Sequence, residues 1–346
     1  MKYNKLILIA TSLTLVGGFS LFHPPTQTQV WADSITEVTN QTQTQTARRN
    51  FVNQNVVMLD VARRHMNKQQ IIDFINNIDT SKFQVLQLHL SDNEGFAMKT
   101  QVLGHHSGWL SKQDIQEICV AANEKGIQVV PDIDVPGHSG GIIQILQNTN
   151  SRWLNKAIIM DPEDLDYTNL NTLNFVKQLY HDVLTAFNHQ EINGRSVQNY
   201  AVVGADEVPG NGVNADDFAK FLNGLDKYCN RYGYQIVVWN DCINSRVAPQ
   251  LNKNIIINYW TRSDADNSIN SLQGNNFSVK NVDSNFSYIN TEDLDNSQLR
   301  ENKATSFSQH NVGRNELCFW GGGENDKNIT NAQLISYLNQ VQNKMK

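Results

Sequence analysis

A basic block, a His-x-His pair on the first strand-like run and metal-type cysteine spacings are all missing from this 346-residue chain. Its 28 basic residues are outnumbered by 34 acidic ones, and they form no block suited to a phosphate backbone. That argues against nucleic acid as a partner and leaves soluble neutral or cationic ligands open. There are four cysteines, with no zinc-type spacing. Cys119 falls on an apolar stripe with Ile115, Ile118 and Ala122, Cys229 on one with Phe221, Leu222 and Leu225, and Cys318 inside Leu317-Cys318-Phe319-Trp320. These read as small core hydrophobes with free thiols rather than disulfides. Cys242, beside Asp241, is the one near a candidate site.

A long apolar run occurs at the start. Leu6 to Phe22 follows Lys2 and Lys5 and precedes Pro24-Pro25 and Val30-Trp31-Ala32. A charged start, a short apolar core and a small-residue cleavage site read as a secretory signal peptide over 1–32, with an uncleaved membrane anchor as the alternative. A secreted protein free of the membrane after cleavage is expected. Residues 33–54 begin rich in Thr, Gln and Asn and read as a flexible leader.

From about residue 55 to 346 strand-like and helix-like stretches alternate. Asn67 caps a helix with Ile71, Phe74, Ile75 and Ile78 at helical spacing. Ser111 with Asp114 starts a second, closed by Gly126, and Asn214 with Asp217 a third. A final helix runs from about Thr330. Strand-like runs fall near 56–60, 84–90, 127–133, 200–204, 235–239, 255–259, 277–282 and 316–320, the seventh being the least regular. Strands alternating with helices over this length predict an α/β fold, a single-domain (β/α)8 TIM barrel.

Barrel sites are built from the loops that follow the strands. Those segments carry Asp60 to Arg63, His89 to Glu94, Asp132 to His138, Asp206-Glu207, Trp239 to Asp241, Tyr259-Trp260, and Trp320 with Glu324 nearby. Tryptophan faces pack against the C–H face of a sugar, while carboxylates and Arg bind hydroxyls. Three tryptophans at strand ends (Trp239, Trp260, Trp320) therefore suggest a ring-binding box. In Asp206-Glu207, mutual repulsion raises the proton affinity of at least one carboxyl, and a protonated carboxyl can donate to a glycosidic oxygen. A capping pair at a helix start is the alternative. His89, Asp92, Asp132, Asp134 and His138 also have metal-ligand chemistry. No His-x-His stands on the first strand, so a polar network supporting Glu207 is preferred, with His138 modulating its proton; no metal or cofactor is expected.

The strings Leu59-Asp60-Val61-Ala62-Arg63, Leu88-His89-Leu90-Ser91-Asp92, Asp134-Val135-Pro136-Gly137-His138, Gly204-Ala205-Asp206-Glu207-Val208, Trp239-Asn240-Asp241 and Tyr259-Trp260 stand in an order that resembles glycoside hydrolase family 20, the β-N-acetylhexosaminidases. Most of all the chain resembles the compact dispersin-type branch, since it has no room for the accessory N-terminal domain of many members. The resemblance covers about Val56 to Glu324. It implies retaining, substrate-assisted hydrolysis, an exception to the two-carboxylate scheme. Glu207 would be the acid and then the base, and Asp206 would orient the acetamido group. Arg63 and Glu324 would bind hydroxyls. His89, Asp92, Asp134 and His138 would support the acid. Trp239, Asp241, Trp260, Tyr288 and Trp320 would contact the sugar. The implied substrate is poly-β-1,6-N-acetylglucosamine of biofilm matrix, bound by a monomer.

There are departures from the family pattern. Val202 stands where the family has His, Ala205 where it has a second Gly, and Gly321-Gly322-Gly323 delays the last acid to Glu324. The family's seventh-strand Tyr aligns with Phe286, with Tyr288 two residues on. Chitin fragments or host glycans are the competing substrates, and a catalytically impaired sugar-binding barrel is the competing class.

Overall fold

In the computed structural model the described residues are 51–104, 108–188, 190–208, 214–261, 267–290, 294–311, 314–322 and 329–346. They all belong to the compact unit Thr46–Lys346. The expected signal peptide and most of the expected leader lie outside them.

Nine strands run in one parallel path. In chain order they are β1 (Val56–Asp60), β2 (Val85–Asp92), β3 (Gln128–Ile133), β4 (Asn199–Val202), β5 (Tyr234–Trp239), β6 (Ile256–Tyr259), β7 (Ser278–Asn281), β8 (Tyr288–Asn290) and β9 (Glu316–Trp320). The hydrogen-bonded order is β7-β6-β5-β4-β3-β2-β1-β9-β8, with every pairing parallel. The path follows the chain and then returns to its last strands, as a (β/α)8 barrel does. Its seventh position is split: β7 pairs with β6, β8 pairs with β9, and a one-turn helix, Ser284–Ser287, separates them. That interruption explains the irregular pattern near 277–282, where a strand of ordinary length does not form.

The helices begin where the sequence supplies caps. Asn67 with Gln70 and Ser111 with Asp114 form reciprocal capping boxes, and Asn214 accepts from the Asp217 amide. Caps of this kind are each worth about 1 kcal/mol. Gly126, at φ +83°, closes the second helix in the left-handed region that glycine reaches without a Cβ penalty.

Alternate strand residues point into the barrel. At the bottom Val56, Val85, Val130, Tyr200, Val202, Val237 and Ile256 form an apolar layer closed by Phe51. Higher up, Met58, Trp239, Val282 and Cys318 carry the partly buried Trp260, Tyr288 and Trp320. Burying a Phe or Val completely contributes about 1.5–3 kcal/mol, so Phe51 is part of the fold. The barrel therefore includes residue 51, inside the stretch 33–54 that the sequence suggests as a leader; one apolar residue after a polar tract carries no periodicity to reveal its burial. All four cysteines are buried and free. No helix among the described residues is long and apolar enough to cross a membrane.

Candidate active site

At the end of β1, Asp60 fixes the loop that carries Arg63. Its Oδ1 accepts the amides of Ala62 and Arg63 at 3.0 Å each, and its Oδ2 takes Arg63 Nη1 and the Gly321 amide, both at 3.0 Å. Arg63 continues to Asp92 at 2.6 Å and Glu94 at 3.1 Å, and its guanidinium lies 5.5 Å over the Trp320 ring. Burial opposes the charge of Arg63, but Asp60 and Asp92 more than offset it. A guanidinium held in this way is a rigid donor fork.

Beneath it is a buried charge network. Both ring nitrogens of His89 face carboxylates, Nδ1 toward Asp132 at 3.0 Å and Nε2 toward Asp92 at 2.9 Å. Carboxylates only accept, so both nitrogens carry hydrogens and the ring is an imidazolium. Burial opposes that charge, yet Asp132 and Asp134 raise its proton affinity well above the ordinary value. His89, Asp132 and Asp134 are the described residues grouped closely enough to hold a metal ion, but both nitrogens of His89 are already engaged.

His138 connects this network to the acid pair. Its Nδ1 lies 3.7 Å from Asp92, and its Nε2 lies 3.2 Å from Glu207 Oε2 and 3.9 Å from Asp206 Oδ2. Burial disfavours its charge, but the hydrogen bond to Glu207 and the nearby carboxylates raise its pKa to about 10. The same hydrogen bond lowers the pKa of Glu207. Asp206 moves the other way, to about 7, because it is buried and lies near Asp241 and Glu207, with His138 opposing. Of the two adjacent carboxyls, the one with raised proton affinity is thus Asp206, while Glu207 rests ionised against His138. Asp206 Oδ1 is buried without a protein partner.

Backbone geometry aims these groups. Gly204, Ala205 and Glu207 have φ of +70°, +69° and +47°, and His138 has +48°. Non-glycine residues in that region cost about 1–3 kcal/mol each and persist where the surroundings fix them. Gly204 also passes against Asp134, whose Oδ1 would stand 2.1 Å from a Cβ placed there. Any side chain at that position would force the two loops apart.

The facing wall is aromatic. Trp260 and Tyr288 stack at 5.9 Å and 10°, and Tyr288 meets Trp320 edge-on at 5.5 Å. With Arg63, Asp92, Asp134, His138, Asp206, Glu207, Asn290, Gly321 and Gly322 they enclose a cavity of about 380 Å³. That volume lies within the range of about 300–1,000 Å³ usual for small-molecule sites, and it combines an apolar wall with convergent polar groups.

The remaining site residues read from the sequence are placed differently. Trp239 is buried behind Trp320, 6.4 Å from it, and backs the wall instead of lining it. His89 lies below the floor. Asp241 spends both oxygens on protein N–H groups, those of Glu207 (2.7 Å) and the Trp260 indole (3.0 Å). It braces the two loops and is not among the residues that line the cavity. Glu324 lies outside the described residues. Phe286 is buried and stacks on His310 at 4.8 Å, while Tyr288 lines the cavity, so Tyr288 is the wall residue of this segment. The one-turn helix before β8 shifts the register, and motif spacing carries no sign of such an insertion. Asn290 lines the cavity without having been singled out; its place two residues after Tyr288 on the same strand is the signal that would have found it.

A model of the glycosyl hydrolase family 20 catalytic domain matches residues 55–333. The chain is 29% identical to the lacto-N-biosidase of Bifidobacterium bifidum over 189 residues, 51% of this chain and 16% of that protein. It is 27% identical to beta-hexosaminidase subunit A1 of Dictyostelium discoideum over 238 residues, 62% of this chain and 43% of that one. It thus spans less than half the length of these curated relatives. Among solved structures, Dispersin B superposes with a TM-score of 0.71 at 22% identity, over 84% of this chain and 98% of its own. A module of the pneumococcal exo-beta-D-N-acetylglucosaminidase gives 0.67 at 14% identity, over 86% and 84%. At these identities the structural likeness is one of fold. With the domain match running through every strand from β1 to β9, the chain belongs to glycosyl hydrolase family 20.

Proposed function

We propose that this protein is a retaining β-N-acetylhexosaminidase that uses the substrate's own acetamido group as nucleophile. The observation that carries the reading is the pairing of two unlike carboxyls in one cavity. Asp206 has a buried, unpartnered oxygen, while Glu207 is more than half exposed at its side chain and paired with a charged histidine. An acetamido N–H donating to Asp206 orients its carbonyl oxygen toward C1, and the Trp260-Tyr288-Trp320 wall takes the methyl group and the ring. Attack of that oxygen on C1 breaks the glycosidic bond as Glu207 protonates the leaving oxygen. The resting proton sits on His138, 3.2 Å away; covering Glu207 with the aglycone removes water and draws that proton onto the carboxyl. The resulting oxazolinium is opened by water, Glu207 now acting as base, which returns the product with retained configuration.

The substrate we propose is β-linked N-acetylglucosamine, in first place the β-1,6-linked polymer. That choice rests on the resemblance to the dispersin-type branch and on the fold shared with Dispersin B along nearly its whole length. Chitin fragments and host glycans are the second reading, favoured by the beta-hexosaminidase and lacto-N-biosidase relatives. The impaired-barrel reading loses its main support with Tyr288, not Phe286, in the wall. We further propose that residues 1–32 are removed on secretion and that the mature chain acts as a monomer. Purified protein would be assayed on a chromogenic N-acetylglucosaminide, poly-β-1,6-N-acetylglucosamine and chitooligosaccharides, with product anomers followed by NMR. Inverted product would sink the mechanism; faster release from chitooligosaccharides than from the β-1,6 polymer would move the second reading to first.

A further inference from the structure

Asp241, at the end of β5, connects two loops that do not touch through β-pairing. The strand lies between β4, which leads to Glu207, and β6, which leads to Trp260. Asp241 Oδ2 accepts the Glu207 amide at 2.7 Å, and Oδ1 accepts the Trp260 indole N–H at 3.0 Å. Its neighbour Asn240 clamps the backbone of the second loop, Oδ1 taking the Trp260 amide at 2.8 Å and Nδ2 donating to the Thr261 carbonyl at 3.1 Å. The main chain at Trp260 is thus fixed, and the indole is held at its far end by the same carboxylate that holds Glu207 in its left-handed conformation, φ +47°.

We propose that Asp241 is a positioning residue that couples the aromatic wall to the acid, so that the indole of Trp260 acts on Glu207 through it. This rests on the reading of Glu207 as the proton donor. A ligand group seated on the Trp260 face stiffens the indole, which fixes Asp241, which fixes the Glu207 amide. The wall then controls proton donation as well as binding. A carboxylate accepting two N–H groups is well suited to this, because its two oxygens share one rigid plane. An amide at that position keeps the shape but offers a single acceptor, and so must release either the acid or the wall.

The test compares a methyl N-acetylglucosaminide, whose leaving group needs a proton, with the 2,4-dinitrophenyl glycoside, whose leaving group does not. Glu207→Gln is the reference and should lose activity on the methyl glycoside far more than on the dinitrophenyl one. Displacing a catalytic group by about 1 Å costs on the order of 10²-fold. Asp241→Asn should therefore lose about 10²-fold in kcat on the methyl glycoside and only a few-fold on the dinitrophenyl one. Trp260→Phe, which keeps a ring but removes the N–H, should show the same leaving-group dependence. The double variant should lose little more than Asp241→Asn alone, as expected for residues acting through one path. If Asp241→Asn or Trp260→Phe lowers both substrates equally, or only raises KM, the coupling is wrong. If Glu207→Gln itself shows no leaving-group dependence, the assignment of Glu207 fails first.

Discussion

His138 Nε2 and Glu207 Oε2 stand 3.2 Å apart, the histidine held charged and the carboxyl held ionised by the same contact. The acid of the resting protein is thus stored one residue behind the carboxyl that is to deliver it. Glu207→Gln removes the transferable proton and keeps the shape. Its rate on an unactivated glycoside should fall about 10²–10⁴-fold, with an unchanged circular dichroism spectrum. A variant retaining half the wild-type rate would rule Glu207 out.

Asp206 gives the pH dependence its sign. Its pKa is about 7 in the folded chain against an ordinary value of 3.8. Between those values the folded state binds the extra proton, so this group's contribution to stability is full below about pH 4 and declines as pH rises toward 7. Asp206→Asn should flatten that slope in urea titrations at pH 4 and 7. Activity runs the other way: the anion is the form that stabilises a cationic intermediate, so kcat/KM should climb through about pH 7. An acid limb that stays in place in Asp206→Asn, measured on its residual activity, would assign that limb elsewhere.

Tyr288 in the wall leads to opposite expectations for two aromatic positions. If its hydroxyl holds the acetamido oxygen, Tyr288→Phe should lower turnover by up to about 3 kcal/mol of barrier, the worth of one preorganised donor. Phe286→Tyr should leave turnover unchanged and cost about 1–3 kcal/mol of stability by burying a hydroxyl against His310. A thiazoline mimic of the oxazolinium should inhibit competitively and bind more tightly than the product monosaccharide. A faster Phe286→Tyr enzyme would return that residue to the site.

At the bottom of the barrel, Lys280 closes the split seventh position. It is almost fully buried and donates to the carbonyls of Phe51 at 3.2 Å and Gln54 at 2.5 Å. Burial lowers its pKa to about 8 with Glu316 opposing, and burial raises that of Glu316 to about 7 with Lys280 opposing. Lys280→Met leaves the buried Phe51 and Gln54 carbonyls without their donor and removes the charge that opposes the burial of Glu316, and should cost about 1–3 kcal/mol. Adding Glu316→Gln should recover part of that loss in thermal melts. Equal melting temperatures for wild type and Lys280→Met would show that the pair contributes nothing.

Much of this molecule is local and therefore legible along the chain. The caps at Asn67, Ser111 and Asn214 depend on residues a turn apart, the strand runs on neighbours, and the strand-end carboxylates and tryptophans on the rule that barrel loops gather at one face. Hence the barrel and the grouping of Arg63, Asp92, His138, Asp206, Glu207, Trp260 and Trp320 follow from the sequence. What depends on contacts between distant segments does not. The one-turn helix that splits the seventh position turns Phe286 outward and Tyr288 inward, and no periodicity marks it. Phe51 counts as core because Tyr200 and Lys280 meet it across the barrel floor. Above all, a carboxyl's proton affinity is set by burial and by charges brought up from other loops. Adjacency in the chain says that one of Asp206 and Glu207 must hold its proton more tightly; burial of Asp206, with His138 from the loop after β3 holding Glu207 ionised, decides that it is Asp206.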